Sequence, residues 1–430
     1  MRVLFASSPI IGHFNPTLVA ARVLKDAGHE TAFYTGRTFG ERVEAAGIRF
    51  FPLPPEADYD MTQPGEVLPE MSQLAPGLPQ MLYVCKALFV DRIPAQAKGL
   101  DLVLQEFHPD VIVYETSFSG VLPLLLGPRS ARPACTYLGV VNLMLPREDG
   151  APFGPGLPFS TDPVERKKYQ AIASQVDAAM NQPLQEHANL LLSFMGLPEL
   201  PAPFWETITT RADLLLQASV PGFEYPMDAP KEKLHFIGAL MPSGSGDVPP
   251  ELKKAKEVGK RILLVSQGTI ANQDLGQLVA PAIEAFGDRE DLLLLATTGG
   301  RPIDSIPCLI GKHTIVSEFL NFREVLPYVD VMIALGGYGT VTQTLSFGVP
   351  MVMAGVGEEK PENGARVVWR ECGIYLPGEA VSVDDLKDAV ETVLADPSYR
   401  ENATRLAQEF GTHDAAQELV RHLEDLTGLL

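Results

Sequence analysis

Short, continuous apolar runs recur along the chain, separated by stretches of helical period and by glycine- and proline-bearing turns. The pattern Val3–Ala6, a helix closed by Gly28, Thr31–Tyr34, a helix over Thr38–Ala46 and Ile48–Phe51 reads as β-α-β-α-β. Runs that are apolar throughout, not alternating, belong to strands buried on both faces, and that order implies a parallel, doubly wound sheet. Ser7–Asn15 reads as a loop, with Asn15 capping a helix whose first residue is Pro16. Pro52–Pro79 lacks a period and reads as a long surface loop with short helical pieces. Gln80–Phe107 is helical by composition. The strand Val111–Tyr114 follows, ending in Glu115-Thr116-Ser117, then a helix over Phe118–Leu126 and a strand over Ala134–Val140. Leu145–Pro158 is dense in proline and glycine and reads as a second loop. A long or broken helix over Asp162–Met195, a helix at Phe204–Thr210 and a strand at Leu214–Ala218 complete this half.

Residues 220–260 are rich in Pro, Gly, Ser and charge and read as a linker, with a short strand at His235–Gly238. A second α/β unit then begins. Strands are expected at Ile262–Ser266, Leu292–Thr297, Ile315–Phe319, Val331–Ala334 and Met351–Ala354. Helices are expected at Leu278–Phe286, Glu362–Cys372 and Val383–Leu394, with two more at the end of the chain. The expected division is residues 1–219, a linker over 220–260, residues 261–410, and a terminal helix within 411–430 that packs back on the first domain. In parallel sheets of this type, ligands bind outside the carboxyl ends of the strands, so the loops of both halves should open onto one cleft.

Length agrees with two domains: the chain has 430 residues, 46% of them hydrophobic. The formal net charge of -20 argues against a nucleic-acid or anionic-membrane partner, either of which calls for a basic face. Cys85, Cys135, Cys308 and Cys372 stand far apart without a CxxC pair and read as reduced core residues. The 8 histidines show no pair at metal-ligand spacing. The chain opens directly on a strand, with no basic and apolar leader. Its apolar segment Val121–Leu126 is interrupted by Pro123. A soluble, cytoplasmic protein with no signal peptide and no membrane span is expected.

Candidate chemistry sits at the strand ends. Gly336-Gly337-Tyr338-Gly339-Thr340 joins the strand Val331–Ala334 to a helix that stops at Gly348. Glycines let the chain approach a ligand closely. Free N–H groups and the helix dipole then favour an anion, so a phosphate-bearing ligand is expected here; the alternative is a plain tight turn. Gly268 and Thr269 repeat the strand-to-loop pattern at the start of the second half. His13 lies beside a strand end, where an imidazole can take a proton from a hydroxyl or can simply bond its own loop. Glu115 ends a parallel strand on the same sheet edge, where it can orient and stabilise that imidazole or remain a solvated carboxylate. Glu358-Glu359-Lys360 follows Met351–Ala354 at another ligand-facing edge and can bond sugar hydroxyls or form an exposed charge cluster.

Together these pieces resemble the GT-B-fold glycosyltransferases of the family that includes plant UDP-glycosyltransferases and bacterial macrolide and antibiotic glycosyltransferases. The resemblance spans nearly the whole chain. It is strongest over Phe319–Arg366 and at GHFNP, Gly12–Pro16. It implies an α/β fold of two doubly wound, Rossmann-like domains facing a central cleft. It also implies an inverting transfer from a UDP- or dTDP-sugar to a hydroxyl of an apolar small molecule, with no metal or other cofactor and as a monomer or homodimer. His13 takes the place of the family's catalytic base and Glu115 that of its supporting acid, usually Asp. Phe319 stands where a Trp stacks on the base, and the backbone of Leu320 reads the pyrimidine edge. Gln343 stands for the acid that contacts ribose. Glu359-Lys360 stands for the Asp-Gln pair that grips the donor sugar, and Asn363 for the Asn after it. Leu335 replaces the His or Asn that normally precedes the glycine-rich turn and bonds the diphosphate. A lost hydrogen bond to a charged group costs about 1.5–3 kcal/mol, so the donor site would rest on the backbone N–H groups of Gly336–Thr340.

Two other readings fit parts of the chain. Leu335 and Glu115 are compatible with a degenerate homologue that binds ligand or assists a partner without catalysis. Glu359 also follows Gly336 at roughly the spacing of a ribose-binding acid in an NAD site, although GxGxxG is absent.

Overall fold

The computed structural model describes residues 1–242, 248–269 and 271–428. Its first sheet contains β1 (Arg2–Ala6), β2 (Glu30–Thr35), β3 (Arg49–Pro52), β4 (Val111–Glu115), β5 (Ala134–Gly139), β6 (Leu214–Gln217) and β7 (Leu234–Phe236). Their spatial order is β3-β2-β1-β4-β5-β6-β7, and every pairing is parallel. The second sheet contains β8 (Arg261–Ser266), β9 (Leu292–Thr297), β10 (Thr314–Ser317), β11 (Val331–Ala334), β12 (Met351–Ala354) and β13 (Gly373–Leu376). Its order is β10-β9-β8-β11-β12-β13, again parallel throughout. The two doubly wound domains of the sequence reading are therefore present.

Each sheet is buried on both faces. Along β1, Leu4 and Ala6 enter one apolar cluster while Val3 and Phe5 enter another. Along β11, Met332 and Ala334 are divided in the same way from Val331 and Ile333. This is why the strands read as unbroken apolar runs. The final helix, Ala415–Thr427, adds Leu419 and Leu423 to the cluster beneath the first sheet. No helix among the described residues is long and apolar enough to cross a membrane.

Several elements differ from the sequence reading. The first helix runs Ile11–Asp26, so His13 occupies its first turn instead of a loop, and Pro16 lies inside it. The Ile10 carbonyl accepts from the N–H groups of His13 and Phe14, which starts the helix one turn early. Burial of Phe14, stacked on Phe39 at 4.1 Å, holds that turn despite the proline. Asn15 is no cap; its side chain accepts from Arg42 at 2.7 Å. The short strand expected in the linker is β7, at the edge of the first sheet. Within the same region, Pro250–Glu257 is a helix.

Strand order reverses twice, once between β1 and β4 and once between β8 and β11. Crevices open at such switch points because the flanking connections leave in opposite directions. Register aligns Ala6 with Tyr114 and Ser266 with Ala334. The residues just beyond these pairs are the candidate groups of the sequence reading.

Candidate active site

At the first switch point, Glu115 is fully buried and receives three kinds of donor. The N–H groups of Ser8 and Ser117 donate to it at 2.9 and 2.7 Å, and the Ser117 hydroxyl donates at 2.8 Å. Its Oε2 lies 2.6 Å from His13 Nδ1. The extra methylene of Glu, relative to the Asp of the resembling family, is accommodated by this cradle. Burial alone would raise the Glu115 pKa. The His13 charge and hydrogen bond, with the Ser117 and Ser8 N–H groups, bring it below the ordinary value. For His13, burial acts to lower the pKa. The charge of Glu115 and its hydrogen bond, then Glu359 and Glu358, more than offset that and raise it. The His13 side chain is 18% exposed and lines the cleft. With Nδ1 held by Glu115, Nε2 is the nitrogen presented to a substrate.

At the second switch point the groups are backbone. Gly336 has φ of 86°, and a Cβ there would run into the Met353 side chain, so a side chain is strained at this position. Gly337 precedes the helix Tyr338–Ser346, whose first residues line the cleft. The N–H of Tyr338 donates to Glu359 Oε1 at 3.3 Å. Burial, and then the neighbouring charge of Glu358, raise the Glu359 pKa. Glu358 itself holds a left-handed φ of 49°.

One cleft of about 1980 Å³ joins both switch points. Gly268, Thr269, Phe319, Leu320, Leu335, Gly336, Gly337, Gly339, Thr340, Gln343, Glu359 and Lys360 all line it. Phe319 is 67% exposed, with its ring packed against Gly300, so a face is open to a flat ligand. Three residues are engaged otherwise than the sequence reading proposed. Asn363 is fully buried behind the turn, where its amide donates to the Gly336 carbonyl at 2.8 Å; it braces the turn and does not line the cleft. Gln343 donates to the Leu240 carbonyl at 3.2 Å, and Lys360 pairs with Glu358 at 2.6 Å. Leu335 lies beside Gly355 and joins the apolar cluster with Val265 and Ile333.

The opposite wall of the cleft is apolar and rich in methionine, with Met61, Met71, Met81, Met144, Met180 and Trp205. Pro64–Val67, Met71–Gln73 and the loop around Leu145–Pro158 supply much of it. Among the described residues, no group of three or more His, Cys, Asp and Glu is placed to hold a metal ion. Sequence reasoning overlooked Ser117, which bonds both members of the His13–Glu115 pair. Its signal was its place two residues beyond the carboxylate at a strand end.

Residues 295–426 match the family of the erythromycin biosynthesis protein CIII-like C-terminal domain. The chain is 33% identical to 4'-demethylrebeccamycin synthase of Lentzea aerocolonigenes, covering 99% of each. It is 32% identical to UDP-glycosyltransferase 2 of Phaeomoniella chlamydospora, covering 99% of this chain and 95% of that one. The crystal structure of the calicheamicin glycosyltransferase superposes with a TM-score of 0.72 at 19% identity, covering 99% of this chain and 98% of that one. The chain thus belongs to the GT-B-fold, nucleotide-sugar-dependent glycosyltransferases that these relatives represent. A further neighbour, the spinosyn rhamnosyltransferase complexed with thymidine diphosphate, has a TM-score of 0.69 at 17% identity, covering 99% of this chain and all (100%) of that one.

Proposed function

We propose that this enzyme transfers a sugar, with inversion and without a metal, from a UDP- or dTDP-sugar to a hydroxyl of an apolar small molecule. The observation that carries the reading is the His13–Glu115 pair, 2.6 Å apart, on the same cleft as the glycine-rich helix start. His13 Nε2 takes the acceptor hydroxyl proton. The acceptor oxygen attacks the anomeric carbon from the face away from the nucleotide, and the bond to the diphosphate oxygen breaks. Glu115 stabilises the imidazolium that results. Negative charge leaving with the diphosphate falls on the N–H groups of Tyr338, Gly339 and Thr340 and on the dipole of their helix. Glu359 then exchanges its Tyr338 contact for hydroxyls of the donor sugar.

The UDP-named relatives and the neighbour solved with thymidine diphosphate support a pyrimidine diphosphate donor. The methionine-rich wall supports a bulky apolar acceptor, since flexible thioethers repack around irregular shapes. Calorimetric titration with UDP and dTDP, followed by transfer assays on phenolic acceptors with and without EDTA, tests the proposal. Expected are binding of one pyrimidine diphosphate, transfer that EDTA leaves unchanged, and an inverted anomeric centre by NMR. A product of retained configuration would overturn the mechanism.

A further inference from the structure

Behind the cleft lies a chain of buried polar groups that the transfer reaction does not use. It begins at Tyr338, the residue whose N–H opens the glycine-rich helix. The Tyr338 hydroxyl donates to Glu224 Oε1 at 2.6 Å and accepts from Gln217, at the end of β6, at 2.6 Å. Glu224 Oε2 meets Arg366 Nε at 3.3 Å, and Arg366 Nη1 meets Glu362 Oε2 at 2.9 Å. Glu362 Oε1 then accepts the N–H groups of Gly154 and Gly156 at 2.9 and 3.1 Å. Their neighbours Ala151, Pro152 and Phe153 line the acceptor side of the cleft. Side-chain exposure of Arg366, Glu224 and Glu362 is 1%, 2% and 0%. None of the three lines the cleft.

Buried charges lose their hydration. They hold their ground only through partners in good geometry, so displacing one member strands the next. Aromatic packing ties the same segments together. The Arg366 guanidinium lies 4.2 Å from the Tyr225 ring centre, and Trp369 packs on Tyr225 at 4.9 Å and on Phe159 at 5.8 Å. The donor-side turn and the acceptor-side loop are thus two ends of one connected structure, crossing between the two sheets.

We propose that Glu224, Arg366 and Glu362 are positioning residues that couple nucleotide binding at the Tyr338 turn to the placement of the acceptor wall at residues 151–156. The inference rests on the reading of that turn as the diphosphate site. Tyr338 joins both functions in one residue, since it opens the helix at the cleft and its hydroxyl enters the relay.

Two measurements on the full chain test this, with dTDP and UDP as probes. In the first, calorimetry compares wild type, Glu362→Gln, Tyr338→Phe and the double variant. Glu362→Gln is expected to weaken nucleotide binding by roughly tenfold although Glu362 does not itself line the cleft, and the double variant is expected to bind no more weakly than Glu362→Gln alone. In the second, Trp205→Phe leaves Trp369 as the sole tryptophan. Nucleotide should then shift Trp369 emission, and Tyr338→Phe should abolish that shift while calorimetry still detects binding. A purely structural relay would leave Trp369 indifferent to nucleotide. Unchanged affinity in Glu362→Gln, losses that multiply in the double variant, or bound nucleotide without an emission change would each overturn the coupling alone. Wild type that binds neither nucleotide would overturn the donor-site reading with it. If Glu362→Gln does not fold, Tyr338→Phe, which loses only a hydroxyl, decides through the emission measurement.

Discussion

At the β1/β4 switch point the working groups are side chains, His13 and Glu115, fixed by short hydrogen bonds in a closed cradle. At the β8/β11 switch point they are backbone, a turn that needs φ of 86° at Gly336 and a helix start behind it. Both crevices arise from the same reversal of strand order, so the topology is indifferent to which chemistry it carries. Proton transfer needs a group of tuned basicity, which only a side chain supplies. Holding a diphosphate needs several converging N–H donors, which the backbone supplies at a helix start. The two regions should therefore fail differently. The first should fail by change of functional group, the second by change of conformation.

The largest effect is expected from His13→Ala. Loss of the general base should lower turnover by about 10²–10⁴-fold, with dTDP or UDP affinity measured by calorimetry left at the wild-type value. A parallel loss of nucleotide affinity would show that the two regions are not separable in this way. Glu115→Gln should come next, with turnover down about 10²-fold and a change in pH dependence. His13 acts unprotonated, and the Glu115 charge is the leading influence raising its pKa above 6.5. Activity should therefore rise with pH along a limb centred above that value. Removing the charge should move the limb to lower pH while the plateau falls. A kcat/KM profile whose limb stays in place would separate the carboxylate from the imidazole.

The contrast also explains what could be read from the chain. Strands buried on both faces announced themselves as apolar runs, and most fell within a residue or two of their final bounds, as with Met351–Ala354. β13 went unread because it is a short, half-buried edge strand with no strong pattern. The position of His13 was misread locally, since Pro16 signals a helix start and only the burial of Phe14 overrules it. Its partner was legible, because two strand ends in a parallel sheet share an edge. Spacing and resemblance could place Asn363 near the turn. Whether its amide faced the ligand or braced the Gly336 carbonyl from behind depends on packing across the sheet. The relay from Tyr338 to Gly156 was beyond reach, since its members come from five separated segments.

A smaller effect is expected at the donor turn. Gly336→Ala places a side chain at a left-handed φ and against Met353, a strain of about 1–3 kcal/mol, so nucleotide affinity should fall by about tenfold. Gly339→Ala is the matched control. That position has no left-handed φ and open space around its Cα, and affinity should stay within about twofold. Equal losses at both positions would mean that glycine is needed there for close approach to the ligand, not for the shape of the turn.

The smallest expected effect comes from adding a side-chain donor to the backbone site. Leu335 is 5% exposed and sits against Gly355 at the head of the turn. An amide at that place can bond a diphosphate, a gain of about 1.5–3 kcal/mol. In the absence of nucleotide the same amide is buried among apolar neighbours at a cost of about 1–3 kcal/mol. The two nearly cancel in overall stability but not in their dependence on ligand. Leu335→Asn should therefore lower the melting temperature of the free protein and recover it as dTDP or UDP is added, with affinity raised by no more than about tenfold. If melting falls and nucleotide restores none of the loss, residue 335 serves the core alone. The diphosphate would then be held by backbone without any side chain from the end of β11.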